Sequence, residues 1–247
     1  MRRSSLTAAA ALALLGLSLP SASANPSGCD LPVFGPGADY HPRIRPSDFG
    51  PSVTNPLFPL TPGRTLVYTG TKDHKKARDT FRTTSRTTVI DGVTTRVVED
   101  RLFLNNVLEE RTSDYYAQDR CGNVWYFGED TATLDRKGNV IDTEGSFRAG
   151  VDGAQPGVFM QADPEVGRQF RQEWYEGHAE DMFRVLSLST PVTVPYGTFN
   201  HALKTEETTA LEPDVVDNKY YVRGIGEVNE VAVQGPLEKL ELVDIID

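Results

Sequence analysis

The chain has 247 residues, 38% of them hydrophobic and 24% charged, with 25 basic against 35 acidic side chains and a net charge of −10. So acidic a balance is repelled by nucleic acid and by anionic lipid, and it excludes nucleic acid as a partner. No apolar run after the N-terminal leader is long enough to cross a bilayer, so no integral membrane span is expected.

Residues 1–24 read as a cleaved signal peptide. Arg2 and Arg3 precede the apolar run "LTAAAALALLGLSL", and Ala22-Ser23-Ala24 forms a small-residue cleavage site. The leader holds two arginines and no acid, so the expected mature chain, from Asn25, carries −12. It is expected to be secreted or associated with the cell surface. Residues 25–62 are dense in Pro and Gly ("NPSGCDLPVFGPGADYHPRIRPSDFGPS", then "TNPLFPLTPG"). Each proline removes a donor and holds its predecessor extended. This stretch reads as an extended arm whose Phe34, Phe49, Leu57 and Phe58 can plug into a core.

From residue 63 to 247 the texture is that of a β-rich domain. Short segments rich in Val, Thr, Tyr and Phe alternate with turn residues: "RTLVYTG", "DTFRTTSRTTVI", "VTTRVVEDRLFL", "VLEERTSDYYAQD" and "VWYFGED". Asp91-Gly92 is a hairpin signal because both turn positions tolerate positive φ. "DHKKARD" reads as a solvated turn, and "VDGAQPGVFMQADPEVG", with two Pro and three Gly, as a long loop. Met182, Phe183, Val185 and Leu186 have a mixed spacing that fits strand at least as well as helix. About a dozen strands joined by short turns form antiparallel neighbours, and so long a sheet curls or closes. The expected fold is therefore all-β: a single curved antiparallel meander sheet, half-barrel or barrel, with an extended Pro-rich N-terminal arm.

From about Asn55 onward the motifs "NPLFPLTPG", "YYAQDRCGNVWYFGEDT", "EGSFRAGVDGAQPGVFM", "VGRQFRQEW", "VPYGTF" and "KYYVRGIGEV" stand together. On these motifs the chain resembles a family of uncharacterised exported bacterial β-rich proteins to which no activity is assigned. The "KYYVRGIGEV" ending is also similar to periplasmic and lipoprotein-type curved sheets that carry apolar ligands, a likeness of fold.

Cys29 and Cys121 are the chain's two cysteines, and in an oxidising compartment they are expected to form one disulfide. The rival reading, a nucleophilic thiol at Cys121, has no histidine near it in sequence. No G-x-S-x-G, H-E-x-x-H, P-loop or C-x-x-C pattern occurs. The aromatic run around Cys121 admits two readings, sheet core or ligand platform. Strand alternation puts Trp125 and Phe127 on one face and Tyr126 on the other. As a platform, Tyr116, Trp125, Phe127 and Glu129 are the ligand-binding candidates, for an apolar or sugar ligand. Glu129, Asp130 and Glu144 add paired acids of the kind that cleave sugars. The segment "EWYEGHAEDM" gathers Glu173, His178, Glu180 and Asp181, candidate ligands for a divalent cation; its other reading is a solvated hairpin. The functional expectation is an exported ligand-binding or surface protein. The alternative is a hydrolase or isomerase using carboxylates in the concave face of the sheet.

Overall fold

A computed structural model describes residues 30–247; the leader and Cys29 lie outside the described residues. The arm carries β1 (Phe49–Gly50), after two short 3-10 turns. β2 (Thr65–Lys72), β3 (Lys75–Ile90), β4 (Val93–Leu104), β5 (Val107–Asp119) and β6 (Val124–Leu134) follow as hairpins. β7 (Val140–Asp142), β8 (Phe147–Arg148), β9 (Gln155–Met160), β10 (Gln169–Arg171) and β11 (Glu173–Trp174) are shorter. β12 (Asp181–Val194), β13 (Gly197–Thr209), β14 (Val216–Val222), β15 (Gly226–Gln234) and β16 (Glu238–Ile246) complete the chain, with no α-helix among the described residues.

The turns that punctuate the sequence are the turns of the fold. Asp91 and Gly92 take φ of 47° and 75°, Asn105 and Asn106 50° and 66°, and Asp73 and His74 49° and 62°. Positive φ at both central positions matches the twist of the flanking strands, and Asn, Asp and Gly adopt it at least cost. "AEDMFRVL" is strand, the start of β12.

All pairings are antiparallel, and the main path runs β10-β12-β13-β14-β15-β16-β2-β3-β4-β5-β6-β9-β11. β16 pairs with β2 and so joins the two ends of the domain. The sheet curls until its two edges fall in one stretch of chain: Gln169–Arg171 pairs with β12, and Glu173–Trp174 pairs with β9. Only Gln172 separates the two halves, and its N–H donates to the Asp181 carbonyl at 2.8 Å. The result is one nearly closed, barrel-like antiparallel sheet whose edges meet at this short seam.

The segment expected as a long loop contributes a buried strand here. β9 carries Val158 and Met160, at 0% and 1% exposure. Its Pro and Gly are positional. Pro156 lies at the strand's start, where a missing donor is tolerated. Gly157 lies where a Cβ would meet the Arg171 carbonyl oxygen and the Gln172 carbonyl carbon, both at 2.3 Å.

The arm straps the outside of this seam and then turns under the barrel. Gly37 lies flat on the Trp174 ring, and the Tyr40 hydroxyl donates to the Pro156 carbonyl at 3.2 Å. Phe49 packs edge-on against Trp125 and Phe127, at 5.7 and 5.4 Å between centroids. Asn55 Nδ2 then donates to the carbonyls of Gly122 and Gln161, both at 2.9 Å, and Gly224 N–H donates to the Pro56 carbonyl at 2.7 Å. Those three points lie at the same end of three different strand pairs. Leu57, Phe58 and Leu60 are thereby buried across that end as a floor.

Because the atoms around Gly157 are backbone, a methyl group there cannot be relieved by a rotamer change. Gly157→Ala is expected to cost about 3 kcal/mol, the upper range for overpacking, read as a lower urea midpoint. Gly50→Ala serves as control: nothing lies within 4 Å of where its methyl group would stand, and stability is expected to change by less than about 1 kcal/mol.

Candidate functional site

In a barrel, side chains at alternate positions face the interior, and on β5 these are Glu110, Thr112, Asp114 and Tyr116. The same face of β14 offers Asp217 and Lys219, and that of β16 offers Glu238 and Leu240. Together with the facing strands they enclose a cavity of about 480 Å³. Thirteen carboxylate side chains line it, against the two ammonium groups of Lys72 and Lys219. If all were ionised the lining would carry −11, compared with −10 for the entire chain. The acidity read from composition is therefore concentrated inside the barrel.

The lumen is graded along its axis. At the floor Phe58 meets Phe159 at 4.5 Å and Tyr116 at 5.2 Å, and Tyr116 stacks on Tyr126 at 4.8 Å. Above the rings stand Asp79, Asp100, Asp114, Glu129 and Glu173. Toward the mouth lie Asp181, Glu207, Glu212 and Asp217.

Two β-bulges aim acids into this space. On β6, Tyr126 pairs with Tyr116 but Gly128 pairs with Tyr115, so Phe127 is the extra residue. The phase of the strand shifts there, and Glu129 turns inward. On β15, Tyr221 pairs with Glu227 and Tyr220 with Asn229, so Glu227 and Glu230 both reach the lumen.

Burial in company with other carboxylates raises the pKa values of several of these acids. Burial pushes Asp114 up to about 7 even though the Tyr126 hydroxyl, donating at 2.6 Å, favours its ionised form. Asp217 is raised to about 6, by burial and then by Glu230. Burial first, then neighbouring carboxylates, hold Glu129 and Glu173 well above the usual carboxylate range. Burial raises both Asp79 and Asp100, and Asp79 raises Asp100 further. Lys219 is a strongly compensated cation. Burial depresses its ammonium, but Glu207, Glu230 and Glu227 outweigh this and hold it well above the ordinary value. Its Nζ lies 3.2 Å from Glu207 and 3.5 Å from Glu230. Lys72 Nζ lies 2.9 Å from Glu238 at the rim.

The residues singled out in the sequence divide between lumen and exterior. Of the aromatic set, Tyr116 and Glu129 line the lumen together. Trp125 and Phe127 face away from it, buried under Phe49, and the Trp125 indole N–H donates to Asp119 at 3.1 Å. Of the acidic set, Glu173 and Asp181 line the lumen. His178 lies outside, 3.1 Å from Glu144 and stacked on Tyr175, and Glu180 accepts the Gly177 N–H at 2.8 Å. These four do not converge. Among the described residues no three His, Cys, Asp or Glu side chains are grouped so as to hold a metal ion. Asp130 points outward, to Arg148 and the Tyr115 hydroxyl. Cys121 N–H donates to Asp119 at 2.9 Å, while its expected partner Cys29 lies outside the described residues.

No family model and no curated protein matches the chain. Among solved structures, a candidate exported protein with a YmcC-like fold from Bacteroides fragilis NCTC 9343 is similar at 11% identity and a TM-score of 0.45. The match covers 77% of this chain and 99% of that one. A candidate lipoprotein from Parabacteroides distasonis ATCC 8503 is similar at 8% identity and a TM-score of 0.41, over 77% and 98% of the two chains. Neither description names a ligand or an activity. Among the described residues no helix is long and apolar enough to cross a membrane.

The raised carboxyls give stability a definite pH dependence. Asp114 and Asp217, at about 7 and about 6, keep protons in the fold that the unfolded chain releases near the ordinary value of 3.8. Their contribution is complete below the unfolded value and is lost as pH rises through the folded ones. The melting temperature of the ligand-free protein is therefore expected to fall between about pH 5 and about pH 8. Each kcal/mol lost corresponds to about 2–4 °C. Asp114→Asn, which stays neutral and can still accept from Tyr126, is expected to flatten that fall. A flat or rising profile in the parent contradicts the assignment.

Proposed function

We propose that this is an exported binding protein that holds a cationic organic ligand in the barrel lumen. One observation carries the reading: thirteen carboxylates against two ammonium groups around a cavity of about 480 Å³ with an aromatic floor. That volume falls in the range of small-molecule sites. An uncharged apolar guest would strip water from the acids and leave them unpaired, which is costly. A cation relieves their mutual repulsion, and the faces of Tyr116, Tyr126, Phe58 and Phe159 attract positive charge as well. The leader-like residues 1–24 support export.

A ligand that binds only the folded state raises its melting temperature with the logarithm of concentration. A thermal-shift series at neutral pH and low salt separates the ligand classes. Putrescine, spermidine and a quaternary ammonium compound are the cationic probes; butane-1,4-diol, succinate and a fatty alcohol are the neutral, anionic and apolar ones. Only the cations are expected to raise the melting temperature, and the shift is expected to shrink as sodium chloride screens the acids. A rise with the fatty alcohol and none with any cation would overturn the reading.

A further inference from the structure

The lumen already contains ammonium groups, and they show how it accommodates one. Lys219 lies between Glu207 and Glu230, and Lys72 lies against Glu238. Both lysines belong to the mouth side of the barrel. The wall formed by β3, β4, β5 and β6 presents Asp79, Asp100, Asp114 and Glu129, and no lysine of those four strands lines the cavity.

On that wall Asp79 and Asp100 form a distinct unit. Asp79 is paired in register with Leu102 and Asp100 with Phe81, so the two acids sit diagonally on one face of adjacent strands. Burial raises both carboxyls, Asp79 to about 6, and the neighbouring Asp79 raises Asp100 further, so the pair holds a proton at about pH 6. Asp79 Oδ1 is shut off from bulk water, lines the lumen and has no hydrogen-bond partner among the described residues. A buried acceptor left without a donor is a rare and costly arrangement. The groups facing the pair are Tyr68 on β2, Glu110 and Asp114 on β5, and Glu227 and Glu230 on β15. Tyr68 donates its hydroxyl proton to the Glu227 carbonyl at 3.0 Å and the others are carboxylic acids, so none of these groups supplies positive charge there.

Resting on the cationic reading above, we propose that the ligand is an elongated polyamine-like molecule with two or more ammonium groups. One ammonium seats on the Asp79–Asp100 pair in place of the shared proton. The exchange balances: R–NH₃⁺ enters, the O–H bond between the two carboxyls breaks, and one H⁺ leaves to solvent. The ammonium donates to Asp79 Oδ1 and to Asp100, which satisfies the orphaned acceptor. A single metal ion fits less well, because no three ligating side chains converge among the described residues. The acids are instead strung along the cavity from Glu173 to Glu230, as separate charges on one extended guest require. The methylene segments between the charges match the rings of Tyr116 and Tyr126 at the floor.

Isothermal titration of the parent protein with spermidine, butylamine and calcium tests the proposal. Runs at about pH 6 in two buffers of different ionisation enthalpy count the protons released. Spermidine is expected to bind at least about tenfold tighter than butylamine or calcium, with release of about one proton. Asp79→Asn and Asp100→Asn are each expected to weaken spermidine by about tenfold or more and to abolish proton release. Glu176→Gln, an exposed residue outside the lumen, is expected to change neither. The unfolding midpoints of the two Asn variants are expected at or above the parent's, and the proton count on the unmodified protein does not depend on their folding. Spermidine binding without proton release, or with both Asn variants unaffected, removes this subsite and leaves the cationic reading standing. Calcium binding as tight as spermidine overturns the elongated guest. No binding by any cation overturns both.

Discussion

The approach of Gly157 to the backbone of Arg171 and Gln172 governs the rest of the structure. A sheet of this length has two edges, each a row of unpaired N–H and C=O groups. Here both edges fall within Gln169–Trp174, half of which pairs with β12 and half with β9. That arrangement is sterically available only where β9 has no Cβ. Once the edges meet, the sheet acquires an inside, and every other feature follows from having one. The arm has a seam to cover at Trp174 and Pro156, and an open end to cross at Gly122, Gln161 and Gly224.

The inside then has to accommodate charge. Acids on one face of a flat sheet could all keep water; on the concave face of a closed barrel they crowd one another. Protonation of some, the lysines at the mouth, and the Tyr126 hydroxyl on Asp114 each remove part of the repulsion. The protein thus gives up stability to a lining it could have filled with apolar side chains, as the apolar cluster of Leu104, Val192, Val194 and Leu242 is filled.

Much of the fold is legible in the sequence because hairpin turns carry local chemistry. Asp91-Gly92 and Asn105-Asn106 mark strand ends wherever they occur, and alternating segments between them can only be antiparallel neighbours. β9 is not legible, since Pro156 and Gly157 are loop residues by propensity and strand residues only because of the seam. The lumen is half legible. Tyr116 and Glu129 stand out in the aromatic run, but strict alternation puts Glu129 with Trp125 and Phe127, and the bulge at Phe127–Gly128 reverses that. The cluster from Glu173 to Asp181 reads as a local unit. It is split by the seam turn, and its inward members meet acids that are distant in sequence, such as Asp114 and Glu129. The usable signal is spread along the chain: acids at alternate positions of long strands, as in Glu110, Thr112, Asp114 and Tyr116.

The floor laid by Leu57, Phe58 and Leu60 decides the topology of traffic. A tube open at both ends is a conduit, in which what enters at one end can leave at the other. A tube stopped at one end is a vessel. On the proposed reading a bound guest is held at a dead end and exchanges only through the rim where Glu207, Glu212 and Asp217 stand. Residence in such a vessel is set by one gate alone, and a guest longer than the depth of the cup must leave a tail outside, within reach of whatever molecule takes it next.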